Sequence, residues 1–188
     1  SPFIKALKEY KMVEEGDKIA VAISGGKDSL LMAKLFQELK RISDTKFEVV
    51  FISMNPGFNE ENSVRLDENL AHLNIPCTRY NDNIFEVAEK VAKEYPCYLC
   101  AKMRRGILYK KVEDFGFNKL TLGHHFDDVI ETTMINMFYA GTIKTMTPKV
   151  PSTSGNLSLI RPLIYVKEED IINYTKKNGI LAMNCGCT

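Results

Sequence analysis

Short apolar runs alternate with longer amphipathic stretches along most of this chain, and that alternation is the strongest constraint on its fold. Ile19 to Ile23, Phe47 to Ile52, Cys77 to Tyr80, Leu120 to Leu122 and Leu157 to Ile160 read as strands. The unbroken run Ile19 to Ile23 is what a strand covered on both faces requires. Residues 2–14, 29–42, 60–73, 83–94, 99–113, 127–139 and 167–178 read as helices. In the second of these, Leu30, Leu31, Ala33, Leu35, Phe36 and Leu39 supply the apolar side. Strand then helix, repeated, implies an α/β fold: a Rossmann-like parallel sheet with helices on both faces. The 188 residues fit one domain, 1–188. Ligands of such sheets bind beyond the carboxyl ends of the strands. The segments to examine therefore follow Ile23, Ile52, Leu122 and Ile160.

After Ile23 comes Ser24-Gly25-Gly26-Lys27-Asp28-Ser29, opening the next helix. Two glycines let the backbone approach a ligand closely. Free N–H groups and the helix dipole favour an anion there, while Ser24 and Ser29 add hydroxyls and Lys27 adds charge. The pattern is a phosphate cradle. It is not the common nucleoside-triphosphate loop, because Val21 stands where that loop's first Gly belongs. Nor is it the dinucleotide fingerprint, which needs a third Gly. A plain strand-to-helix turn would require neither the Lys nor both serines.

After Leu122 comes Gly123-His124-His125-Phe126-Asp127-Asp128. Two carboxylates in a first helical turn suit the dipole, and one of them can cap the helix. Beside a phosphate site the same pair suits Mg²⁺. The stripe Met134-Ile135-Asn136-Met137-Phe138-Tyr139 reads as core. Residues 142–156 read as a polar loop, long enough to shape a pocket. Arg161 at a strand end suits either a phosphate or a structural ion pair.

Four of the five cysteines form two clusters: Cys97 with Cys100, and Cys185 with Cys187. The C-x-x-C pair alone is compatible with half a zinc site, a dithiol, or part of an iron–sulfur cluster. Cys77 reads as core, and His72 as a surface or core residue of an amphipathic helix. Lys102, Arg104, Arg105, Lys110 and Lys111 follow the C-x-x-C; Leu108 interrupts their basic face.

Net charge is only +1, lower than a dedicated nucleic-acid binder usually carries, so any RNA contact comes from a local patch or from parts outside these residues. No apolar run is long enough to cross a bilayer, and no charged-then-apolar leader opens the chain. An odd cysteine count without such a leader points to reduced thiols in the cytoplasm. Ser1 at the first position, and the end at Cys185-Gly186-Cys187-Thr188, give the expectation that the native chain continues at both ends.

Ser-Gly-Gly-Lys-Asp-Ser resembles the signature of PP-loop ATP pyrophosphatases, which cleave ATP between the α and β phosphates and adenylate a carbonyl oxygen. The flanking Glu14-Glu15-Gly16-Asp17-Lys18-Ile19 is similar to the tRNA 2-thiocytidine synthetase branch and its thiouridine-forming relatives. Gly123-His124-x-x-Asp127-Asp128 resembles that family's second signature, and Ile160-Arg161-Pro162-Leu163 its third block. The resemblance implies an ATP-dependent tRNA sulfurtransferase, with 2-thiocytidine formation ahead of 2-thiouridine formation; a nucleotide-binding, cluster-bearing sensor without turnover is the alternative. It implies catalytic roles for Lys27, Asp127 and Arg104. ATP would contact Ser24, Gly25, Gly26, Lys27, Asp28 and Ser29, with the adenine near Ile52, Ser53 and Met54. Gly123, His124, Asp128 and Arg161 would complete the nucleotide site, and Mg²⁺ would be held partly by Asp28 or Asp127. A 4Fe-4S cluster would be ligated by Cys97, Cys100 and Cys185, with Cys187 as alternate, its fourth iron left open for sulfur. The implied partners are tRNA, ATP, a sulfide or persulfide donor and, by analogy, a second copy of the chain.

Overall fold

A computed structural model describes residues 1–55, 57–81, 96–151 and 156–183, with the side chains of residues 96–101 and 104 excepted. Six helices and six strands follow in the order α1 (Pro2–Glu9), β1 (Lys18–Ile23), α2 (Lys27–Ile42), β2 (Glu48–Asn55), α3 (Glu60–His72), β3 (Cys77–Asn81), α4 (Pro96–Asp114), β4 (Lys119–Thr121), α5 (Phe126–Tyr139), β5 (Lys149–Pro151), β6 (Ser158–Ile160) and α6 (Glu168–Lys177) among the described residues. The helix read over residues 83–94 lies outside them.

The six strands form one sheet in the order β3-β2-β1-β4-β6-β5. All neighbours run parallel except β5, which is antiparallel to β6 with Val150 opposite Leu159. The sheet is therefore mixed rather than wholly parallel, and the polar segment 142–156 contains a strand. Lys-Val-Pro has no apolar run to betray it, and Pro151 is tolerated because β5 is the sheet's edge.

The unbroken apolar run predicted the middle of the sheet: Ile19, Ala20 and Val21 are wholly buried. On one face Phe3, Met32, Phe36, Leu66 and Ile171 bring α1, α2, α3 and α6 onto the sheet. On the other, Leu108 and Val112 of α4 pack on Ala20, Ile52 and Leu120. Alternation along β2 follows: Phe51 joins the first cluster and Ile52 the second.

Two helical expectations change. α1 stops at Glu9, because Lys11 adopts a left-handed φ of 46° and the Met12 N–H closes back on the Leu7 carbonyl at 2.9 Å. α5 buries none of its residues; Phe138 and Tyr139 are 75% and 89% exposed. The Met and aromatic stripe read as core is a surface, and Val129 is the α5 residue that packs against the main cluster.

At the amino ends of β1 and β4 a polar knot is buried. The Lys119 ammonium pairs with Asp17 Oδ2 and, at 3.2 Å, with Glu14 Oε2; the Lys119 and Asp17 side chains are 5% and 6% exposed. Asp17 also accepts from Asn118 Nδ2 at 2.8 Å and from the Glu14 N–H at 2.7 Å. Asn118 Oδ1 in turn accepts from the Lys18 N–H at 2.7 Å. Every partner is satisfied, so removing one strands a buried charge. Asp17→Ala is expected to lower unfolding free energy by about 3 kcal/mol, read by urea denaturation; a loss within error of zero would contradict the knot's role.

Cys77 behaves as core in its chemistry although it is only half-buried. Burial pushes its thiol up to about 11, outweighing the nearby Arg79. Iodoacetamide at pH 8 is expected to label native Cys77 at least ~10-fold more slowly than a free thiol, with labelling recovered on unfolding.

Candidate active site

The strand order reverses direction at β1 and β4, and a crevice opens beyond their carboxyl ends. A cavity of about 330 Å³ occupies it. From the β1 side Ser24, Asp28 and Ser29 line it; from β4, Gly123, His124 and Asp128; from β2, Ile52 and Met54. Arg105 and Leu108 of α4 close another side.

The turn after β1 is braced by its own hydroxyls. Ser29 Oγ donates to the Gly26 carbonyl at 2.9 Å and accepts from the Ser24 N–H at 3.1 Å, with Ser24 Oγ at 3.2 Å. The serines thus hold the loop's shape as well as facing the cavity. Gly25 has a φ of 91°, which side-chain-bearing residues rarely adopt. Its carbonyl accepts from the Met183 N–H at 3.0 Å, and the Met183 side chain fills the space a Cβ at Gly25 would need. The segment reaching Met183 is held by α3: Asn69 Nδ2 donates to the Leu181 carbonyl at 2.9 Å, and His72 Nε2 to that of Asn178 at 2.8 Å. At Gly123 a Cβ would stand 3.2 Å from the Ser29 nitrogen, so glycine permits β4's end to approach the start of α2.

Electrostatics divide the acids. Asp28 is partly buried; its Oδ1 makes no hydrogen bond, standing 3.4 Å from Lys27 Nζ and 3.8 Å from His125 Nε2. Burial raises its pKa above the ordinary carboxylate value, against the pull of Lys27 and His125. Asp128 Oδ2 accepts from the His125 N–H at 2.8 Å, capping α5 while facing the cavity. An orphaned carboxylate oxygen on one wall and a second carboxylate on the other form the hard-oxygen set that suits Mg²⁺ beside phosphate. His124 is held below its ordinary pKa, first by burial and then by the Arg161 guanidinium. It is neutral at pH 7, and its buried Nδ1 has no hydrogen-bond partner.

Several expected contacts lie elsewhere. Ser53 does not line the cavity: strand alternation aims Ile52 and Met54 there and buries Ser53 completely on the opposite face. Asp127 does not line it either; its Oδ2 accepts from the Glu168 N–H at 2.7 Å and anchors the start of α6. Lys27 is paired with Glu168 Oε1 at 2.9 Å; burial lowers its pKa, but Glu168 and Asp28 together outweigh burial and raise it. Arg161 donates through a guanidinium nitrogen to the Thr147 carbonyl. Cys97 and Cys100 fall in the opening turns of α4, but their side chains, with that of Arg104, lie outside the described set, as do Cys185 and Cys187.

Sequence reading missed Arg105, although a signal existed. Leu108 interrupts the basic face because it is buried, and Arg105, one turn earlier, shares its direction. It also missed Glu168 and Met183, which no local pattern connects to the loop.

The PP-loop domain family model matches residues 2–183. The chain belongs to the PP-loop family. The tRNA-cytidine(32) 2-sulfurtransferase of Syntrophotalea carbinolica is 38% identical over 188 residues, 97% of this chain and 71% of that protein. The enzyme of that name from Geobacter metallireducens is 36% identical over 190 residues, 97% of this chain and 72% of its own length. Among solved structures, the U34-tRNA thiolase NcsA from Methanococcus maripaludis, with its [4Fe-4S] cluster, superposes with a TM-score of 0.77 at 20% identity, covering 99% of this chain and 65% of that one. A phosphoadenylyl-sulfate reductase from Candida auris has a TM-score of 0.58 at 12% identity, covering 97% of this chain and 81% of that one. At those identities the likeness is one of fold.

Because the folded protein raises the Asp28 pKa above 3.8, ionised Asp28 opposes folding at neutral pH. Its contribution favours folding below pH 3.8 and is lost as pH rises through the native value. Asp28→Asn is therefore expected to raise the stability of the PP-loop domain at pH 7. The gain should shrink towards pH 4 in thermal melts at the two pH values. A lower midpoint for the variant at pH 7 would refute the assignment.

Proposed function

We propose that this chain is an ATP-dependent tRNA sulfurtransferase that adenylates the C2 oxygen of a tRNA cytidine and replaces it with sulfur. The carrying observation is the shared cavity. Ser24, Asp28 and Ser29 of the phosphate turn, His124 and Asp128 of the second signature, and Arg105 of the cysteine-bearing helix all face one space. The relatives named as cytidine sulfurtransferases support cytidine, whereas likeness to the uridine thiolase extends to fold alone. Residues 1–188 act as a single ATP-pyrophosphatase domain in this reading, in the cytoplasm, where the paired thiols stay reduced.

The triphosphate lies along the braced turn, with its β and γ phosphates towards the α2 N-terminus and the adenine against Ile52 and Met54. The base's C2 oxygen attacks the α phosphorus; the bond to the β-bridging oxygen breaks and pyrophosphate leaves with the electron pair. Asp28 and Asp128 would hold Mg²⁺, which supplies charge neutralisation on the phosphates. Neutral His124 can donate or accept a hydrogen bond at the reacting base without adding charge. Arg105 gives the RNA phosphate or the developing anion a cationic partner. The thiolate set Cys97, Cys100 and Cys185 fits an iron–sulfur cluster by donor type, and a bound cluster would hold an exogenous sulfide ready for transfer. Sulfur adds at C2, the C2–O bond breaks, and AMP departs with the original oxygen. The sulfur comes directly from sulfide, or from a persulfide carrier together with a thiol reductant that supplies two electrons and is oxidised to a disulfide.

Purified anaerobically, the protein is expected to carry iron and acid-labile sulfide and to convert ATP to AMP only with tRNA present. Cys97→Ala should remove iron and thiolation together while leaving ATP binding intact. Nucleoside mass spectrometry of tRNA from a deletion strain should show loss of 2-thiocytidine. Unchanged 2-thiocytidine would end the cytidine reading, and thiolation surviving Cys97→Ala would end the cluster reading. A homodimer through the exposed apolar stripe of α5 completes the reading; Ile135→Glu is expected to shift the mass in light scattering to that of a monomer.

A further inference from the structure

We infer that Glu168 is the counter-ion from which an incoming triphosphate takes Lys27, a positioning residue that holds the loop lysine until phosphate arrives. This deepens the ATP reading of the turn Ser24 to Ser29 and rests on it. The Lys27 ammonium lies 2.9 Å from Glu168 Oε1 and 3.4 Å from Asp28 Oδ1, so two carboxylates share one cation. All three side chains remain partly accessible, so a polyanion can reach the pair.

Glu168 is not a loose surface acid. Its backbone N–H donates to Asp127 Oδ2 at 2.7 Å, and the Phe126 N–H donates to the Val166 carbonyl at 3.0 Å. Those two ties fasten the start of α6 to the start of α5, beside the cavity-lining Asp128. The carboxylate of Glu168 is thereby presented to the phosphate turn from a fixed helix end. With its charge balanced by Glu168 and Asp28, Lys27 offers the turn little positive potential. A triphosphate carries more charge than one carboxylate; it attracts Lys27 and repels Glu168, and both effects favour the exchange. Asp127, expected to act on the substrate, acts one step removed: it sets where Glu168 stands.

Glu168→Gln keeps the shape and a hydrogen-bonding oxygen for Lys27 and removes the ionic competition. The test is calorimetric titration of the intact protein with a non-hydrolysable ATP analogue and, separately, with inorganic tripolyphosphate. Glu168→Gln is expected to bind both about 3- to 10-fold tighter than the wild type, the scale of one partly exposed ion pair. Lys27→Ala should abolish that gain in the double variant, and Glu168→Asp should keep wild-type affinity. In turnover, the KM for ATP should fall in Glu168→Gln with no rise in kcat, a split that a scaffolding role would not produce. Glu168→Ser carries the same expectation should the Gln variant melt below the assay temperature. Equal or weaker binding by folded Glu168→Gln, or a gain that persists without Lys27, would overturn the inference. A wild type that binds ATP while Glu168→Gln is unchanged overturns this inference alone; a wild type that binds no ATP removes the loop reading with it.

Discussion

Two neighbouring parallel strands whose connections leave towards different parts of the sheet cannot close over their own carboxyl ends, and this chain is organised around that gap between β1 and β4. The gap accepts a turn because Gly123 lets the end of β4 come within van der Waals reach of the α2 backbone. The turn keeps its shape because Ser29 holds the Gly26 carbonyl and the Ser24 amide together. Phosphate recognition at such a turn depends on N–H groups that are already aimed, so rigidity here is part of binding.

The two ends of the sheet handle charge in opposite ways. Below β1 and β4, buried Asp17 and Lys119 are satisfied by one another, by Asn118 and by the more exposed Glu14, and that completeness makes the set structural. Above them, Asp28 Oδ1 and His124 Nδ1 are buried without hydrogen-bond partners, and burial shifts both groups towards their neutral forms. Unsatisfied groups of that kind oppose folding and are retained where a ligand completes them.

Much of this was legible in the chain itself. The run Ile19 to Ile23 named the central strand because only a strand covered on both faces tolerates apolar residues throughout. Glycine and serine spacing after Ile23, and the paired acids after Leu122, named two walls of the cavity because their roles are local. Features built by distant contacts were not legible. Ser53 and Met54 look alike as strand-end candidates, and only the sheet's pleat separates the buried one from the one facing the cavity. Asp127 and Asp128 are adjacent acids on one turn; their division into an anchor for α6 and a cavity wall depends on where α6 lies. Strand β5 gave no signal because its pairing with β6 comes from the sheet edge, not from its own residues.

The tie between the Gly25 carbonyl and the Met183 amide joins positions separated by almost the whole chain. Contacts of such sequence separation form only after the entropy of closing the intervening loop has been overcome. During vectorial synthesis the phosphate turn emerges well before the segment around Met183 that forms its back wall. A nascent chain can assemble the sheet from β1 to β3 with the turn still open at Gly25. Competence to grip a nucleotide is in this way deferred until translation has delivered the segment that also leads towards Cys185.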